Sequence, residues 1–248
     1  MTTKNVLFVC GFNTHPDDQN DNDLYSIFDI YFKYSPYNLY IFRYKLAEEL
    51  YDVYDRLVYL LENNSYDIVI THSMGGSLIM KYLMNKNNQL TDKKIIMLMP
   101  FIYKTPLLSC LSYFSFIENL YLPKCLIIPN GNLFSIGNIC NDTMRLVSIK
   151  QIYQCAADFL LSEQKIVEII NGADIHIIYV KDEQISSIPN NVLHKIATDK
   201  ITHIKGKHIA FVDIEYNVDF FKTFTKCLHL KWNKIHSKKT KLGLFVPL

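Results

Sequence analysis

Short unbroken apolar runs punctuate this chain, and between them lie stretches whose apolar residues keep helical spacing. The runs fall at 6–10 (VLFVC), 38–43 (NLYIFR), 67–71 (DIVIT), 94–99 (KIIMLM), 175–180 (IHIIYV) and 201–205 (ITHIK). A run of that length, ended by Gly, Pro or a polar cluster, reads as a strand covered on both faces. Leu24, Ile27, Phe28, Tyr31 and Phe32 recur at helical spacing. Leu46, Leu50, Val53, Tyr54, Leu57, Val58 and Leu61 form a stripe opposite Glu48, Glu49, Asp52 and Asp55. Further helices are expected over 75–85, 190–197 and 217–230. This alternation predicts an α/β fold, an open and mostly parallel sheet with helices on both faces. In such sheets a site lies beyond the carboxyl ends of the strands.

The stretch 101–165 breaks the rhythm. Its 105–117 portion (TPLLSCLSYFSFI) carries no charge and is too short to span the ~30 Å core of a bilayer as a helix. The portion 130–141 reads as loop and 149–161 as helix. Together they read as a helical lid inserted into a single domain whose core is 1–100 and 166–230. The tail 231–248 holds five lysines and no acid, and is expected to be poorly ordered and solvated.

Composition narrows the function classes. With 49% hydrophobic residues and a formal net charge of +2, the chain can bury a core, and a disordered state is excluded. That charge makes no global case for nucleic acid or an anionic membrane. The cysteines at 10, 110, 125, 140, 155 and 227 are spread singly, with no CxxC pair and no Cys/His cluster at zinc spacing. No GxxxxGK[ST] or GxGxxG string occurs, so neither metal nor cofactor is expected. The apolar start of the chain is too short for an export signal, and unpaired thiols suit a reducing compartment, so a cytoplasmic location is expected.

The motif richest in chemistry is Thr71-His72-Ser73-Met74-Gly75-Gly76, which closes one predicted strand and opens a predicted helix. A serine on a tight strand-to-helix turn has its hydroxyl exposed above the sheet, and the crowded turn demands small neighbours two residues to either side. The N–H of the following residue lies at a helix N-terminus, where partial positive charge suits a developing oxyanion. Glycine is scarce, eight in all, and Gly11, Gly75, Gly76 and Gly206 lie in the loops that matter here.

With its H-S-M-G-G string on such a turn, the chain resembles the α/β-hydrolase superfamily of serine esterases and lipases. It departs from the family at Thr71, where glycine is commonest. The resemblance implies Ser73 as nucleophile, then an acid, then a histidine base in chain order. Asp182, after the strand ending at 180, matches the acid, and His208, in the loop before the last helix, matches the base. Glu183 is a rival acid, and Asp174 lies at the wrong end of its strand. His203 reads as a hydrogen-bonded structural side chain within a strand, and His72 as a packing residue behind the serine. His15 is placed to line the entrance. The oxyanion donors implied are the amides of Met74 and of Phe12, which follows Cys10-Gly11 where the family commonly has His-Gly.

These readings converge on an expected serine hydrolase that cleaves a small-molecule carboxylic ester with an apolar acyl or alkyl group. Leu111 and Phe114 of the lid are expected to line the pocket. Thioesterase, acyltransferase or cofactor-free lyase chemistry on the same scaffold stays open, as does a binding protein that kept the pocket. No nucleic-acid partner and no transmembrane segment are expected, weak contact with a lipid interface is allowed by the aromatic 107–121 segment, and the oligomeric state is open.

Overall fold

Six parallel strands form the centre of the molecule in the order β2-β1-β3-β4-β7-β8. The computed structural model describes residues 4–12, 25–33, 35–85, 92–111, 113–123, 146–181, 188–213, 215–229, 238–239 and 245–246. In chain order the sheet is built from β1 (Lys4–Val9), β2 (Tyr37–Phe42), β3 (Ile68–His72), β4 (Lys94–Leu98), β7 (Ile175–Val180) and β8 (Ile201–Ile204). The inner strands β1, β3, β4 and β7 are buried over nearly their whole length, which is why each reads as a continuous apolar run. Edge strand β2 instead alternates buried-side and exposed residues.

Side-chain alternation sorts the core into two layers. Leu7, Val9, Val69, Ile95, Met97, Ile175 and Ile177 face α2 (Leu50–Asn63), α3 (Met74–Asn85) and α6 (Glu163–Gly172). Val6, Phe8, Ile68, Ile70, Ile96, Leu98 and Ile178 face α1 (Ser26–Lys33) and α8 (Asn217–Cys227). Phe28, Phe211, Phe220, Phe221 and Phe224 fill that second layer with an aromatic cluster.

The chain leaves β1 toward β2, then crosses back over β1 to β3 and continues outward on the other side. The strand order therefore reverses between β1 and β3, and in open α/β sheets it is beyond the carboxyl ends at such a point that ligands bind.

The described part of the segment 101–165 is less helical than the sequence suggests. It contains α4 (Pro106–Leu111), a 3-10 turn (Ser115–Asn119), α5 (Lys150–Gln154) and a π-helical turn (Cys155–Phe159). It also holds an antiparallel pair of β5 (Tyr121–Pro123) with β6 (Leu146–Ser148), which local sequence does not announce. The predicted loop at 130–141 lies outside the described residues. Helix α6 begins at Glu163 and puts Ile166, Ile169 and Ile170 into the core. It is set off from the π-turn by a bridge between Leu161 and Tyr103, with the Leu161 N–H donating to the Ile102 carbonyl at 2.9 Å.

Helix α7 (Asn190–Leu193) ends earlier than the expected 197. The tail differs too: β9 (Lys238–Lys239) and β10 (Phe245–Val246) pair antiparallel, and β10 lies against α8 and α1. Among the described residues no helix is long and apolar enough to cross a membrane.

Candidate active site

The turn between β3 and α3 puts Ser73 in the left-handed region at φ 49°. For a non-glycine residue this conformation costs of order 1–3 kcal/mol and persists only where the surroundings impose it. Here they do. The Ser73 N–H extends the sheet ladder to the Leu98 carbonyl (3.0 Å), and its own carbonyl accepts from Gly76 and Phe101, both at 2.9 Å. The Phe101 carbonyl in turn accepts from the Ser77 hydroxyl, so the segment after β4 straps the first turn of α3. A second left-handed residue, Met99 at φ 41°, begins that strap.

Glycine is required at 75 for a different reason. A Cβ there would stand 2.6 Å from the Cys10 carbonyl oxygen and closer still to that of Val9, so α3 could not approach the end of β1. That approach brings the β1 loop onto the serine: a Cβ on Gly11 would lie 3.0 Å from Ser73 Cβ. The loop is held on both sides. Cys10 donates to the Phe42 carbonyl (3.2 Å), its carbonyl accepts from the buried Tyr44 hydroxyl (3.1 Å), and the Gly11 N–H donates to the Tyr25 hydroxyl (2.8 Å). Phe12 follows, partly buried against the α2–α3 layer. Met74 is buried and is the first residue of α3, where backbone N–H groups have no intrahelical acceptor.

His208 is brought to the same place from the far side of the sheet. After β8 the chain turns at Gly206, whose φ of +139° suits glycine alone. The His208 ring is buried, with its centroid 4.9 Å from the ring of His72, the residue before Ser73. His72 itself is buried on the α1–α8 face. Its Nδ1 lies 2.8 Å from the Tyr25 hydroxyl and its Nε2 3.2 Å from the His208 carbonyl. Burial first, and then the neighbouring His208, holds the His72 pKa well below the ordinary imidazole range.

The remaining expectations divide. Asp182, its rival Glu183, and His15 lie outside the described residues; the chain is described to Lys181, just past the carboxyl end of β7. His203 is exposed on β8 and sits edge-on to Tyr179, which makes it a surface ring rather than a buried structural one. Asp174 precedes β7, at the opposite edge of the sheet from Ser73. Phe114 is 50% exposed and meets Phe116 edge-on. Leu111 closes α4, and its side chain lies outside the described set. Thr71 is fully buried, and its hydroxyl finds no hydrogen-bond partner among the described residues. Threonine in place of glycine thus buries a hydroxyl without a partner among the described residues, and a buried polar group left unpaired typically costs about 1–3 kcal/mol.

Two participants carry no sequence signal. Tyr25 joins Gly11 to His72, partners distant in sequence. Asp213, in the loop that carries His208, is buried with one carboxylate oxygen accepting from the Glu215 N–H (3.0 Å). Its other oxygen finds no partner among the described residues.

No family model matches the sequence, and no curated protein matches it. Solved structures do. The soluble variant of monoglyceride lipase from Saccharomyces cerevisiae is similar at TM-score 0.62 and 14% identity, over 91% of this chain and 86% of that one. The monoacylglycerol lipase of Paleococcus ferrophilus is similar at TM-score 0.57 and 14% identity, over 90% and 93%. An extracellular alpha/beta-hydrolase from Paenibacillus gives TM-score 0.57 and 12% identity, over 90% and 98%. At these identities the likeness is one of fold.

Proposed function

From the premise that this chain has the α/β-hydrolase fold, we propose that it is a serine hydrolase acting on a carboxylic ester through Ser73, His208 and Asp182. The observation that carries the reading is the strained Ser73 turn, with Gly11 packed against the serine on one side and His208 beside His72 on the other. A serine hydroxyl is a weak nucleophile until a base takes its proton. In the proposed reaction Ser73 Oγ attacks the ester carbonyl carbon as His208 accepts the hydroxyl proton. The oxyanion is held by the amides of Phe12 and Met74, and Asp182 orients and supports the imidazolium. Collapse expels the alcohol, which takes the proton from His208, and leaves an acyl-serine. Water then attacks with His208 again as base, which releases the acid and restores Ser73.

Segment 101–165 is assigned as the lid, and the near absence of charge at 105–117 supports an apolar acyl or alkyl preference. The lipase names of similar structures agree with an ester substrate. Turnover of p-nitrophenyl butyrate tests the reading. The wild type is expected to be active, and Ser73→Ala and His208→Ala to lose roughly 10³-fold or more. Asp182→Asn should lose less. Full activity in Ser73→Ala would place the nucleophile elsewhere.

A further inference from the structure

We infer that Tyr25 and His72 form a hydrogen-bonded relay that positions the β1 loop and the His208 loop against each other, so that both act as positioning residues for the reaction proposed above, on which this inference rests. The polarity of the relay follows from its ends. The Gly11 N–H can only donate, so the Tyr25 oxygen accepts it at 2.8 Å, and the hydroxyl, 2.8 Å from His72 Nδ1, is placed to donate to that nitrogen. With Nδ1 accepting, the proton of a neutral imidazole is on Nε2, where it faces the His208 carbonyl at 3.2 Å. The neutral Nε2–H tautomer thus pairs a donor with an acceptor at each of the three contacts. A second proton on Nδ1 would face a hydroxyl already turned toward it.

The relay directly links two loops that leave different strands. One carries Phe12, the proposed oxyanion donor, and the other carries His208, the proposed base. His72 is covalently next to Ser73, so the serine is the fixed point between them. Aromatic packing makes the link stiff: Phe211 of the base loop meets the His72 ring edge-on at 5.2 Å and stacks on Tyr25 at 5.8 Å. A polar chain enclosed by rings and nearly excluded from water is costly to break, because the orphaned groups cannot rehydrate.

Three variants separate positioning from packing. Tyr25→Phe keeps the ring and deletes the hydroxyl. His72→Phe fills the space and removes both polar contacts. His72→Gln restores a donor near the Nε2 position and an acceptor toward Tyr25. Each is followed by kcat and KM with p-nitrophenyl butyrate and by amide hydrogen exchange at Gly11 and across 205–212, with circular dichroism as the check on folding. Tyr25→Phe and His72→Phe are expected to lower kcat by about 10- to 100-fold with KM nearly unchanged, the scale of a displacement near 1 Å, and to speed exchange in both loops. His72→Gln should recover most of kcat. If Tyr25→Phe and His72→Phe retain kcat, or if His72→Phe outperforms His72→Gln, the relay is overturned. Should the wild type itself prove inactive, the hydrolase reading fails, and the exchange data decide separately whether the relay couples the loops: unchanged protection in Tyr25→Phe overturns it.

Discussion

Replacing Gly75 by alanine adds one methyl group at the tightest point between α3 and β1. Ordinary contact begins near 3.4 Å, whereas the new Cβ would sit 2.6 Å from the Cys10 carbonyl oxygen. The contact with the Val9 carbonyl oxygen is tighter still, so the helix and strand must part by at least about 0.8 Å, and neither yields easily. Hydrogen bonds to Phe42 and Tyr44 hold the end of β1, and the start of α3 is strapped by the chain after β4. Overpacking of this kind costs about 1–3 kcal/mol or more. Alanine's higher helix propensity returns at most ~1 kcal/mol, so a net loss near 1–2 kcal/mol is expected. In a chain of this size that lowers Tm by roughly 2–8 °C. Activity should fall further than stability, by about 10²-fold, because the displacement separates Gly11 and Phe12 from Ser73. Gly172→Ala is the control: nothing lies within 4 Å of its added Cβ, so stability should be unchanged or gain up to ~1 kcal/mol. Thermal unfolding and ester turnover measured on both variants decide the matter. A Gly75→Ala protein with wild-type Tm and turnover would refute the argument.

Two further outcomes follow from the burial of His72 and from the lid assignment. The folded pKa of His72 is depressed while the unfolded one is near 6.5, so below pH 6.5 the unfolded chain binds the extra proton and stability falls with pH. Urea midpoints between pH 7.5 and 5 should show His72→Gln losing up to ~1.4 kcal/mol per pH unit of this slope, with half-buried His176 leaving a residual slope; identical slopes would contradict the burial argument. If the segment 101–165 lines an apolar pocket, hexanoyl esters should be turned over better than acetyl esters, by up to ~0.8 kcal/mol per buried methylene. Equal or better acetyl turnover would instead mean a small polar site.

What the sequence reveals about this molecule depends on how local the cause is. The inner strands of the sheet are legible because burial on both faces makes each a continuous apolar run, and the Ser73 turn is legible because its glycines answer to a steric demand within a few residues. Where distant partners decide the outcome, the pattern is silent. Helix α6 carries Ile166, Ile169 and Ile170 at helical spacing, but its separation from the preceding π-turn depends on Leu161 bonding to Ile102. The left-handed Met99 has no glycine or asparagine signal; the packing of Pro100 against Gly76 and the strap across α3 surround it. Tyr25 reads as one more aromatic beside a helix, and its role exists only once β1, β3 and the His208 loop have met. The same holds for Asp213, buried in the loop before α8.

An activated Ser73 nucleophile can be tested by covalent labelling without knowledge of the substrate. A fluorophosphonate reacts with a serine whose proton is taken by a neighbouring base, and peptide mass spectrometry locates the adduct. A single adduct is expected on the peptide containing Ser73 in the wild type, none in Ser73→Ala, and strongly slowed labelling in His208→Ala. An adduct on another serine, or labelling that persists undiminished in Ser73→Ala, would contradict it.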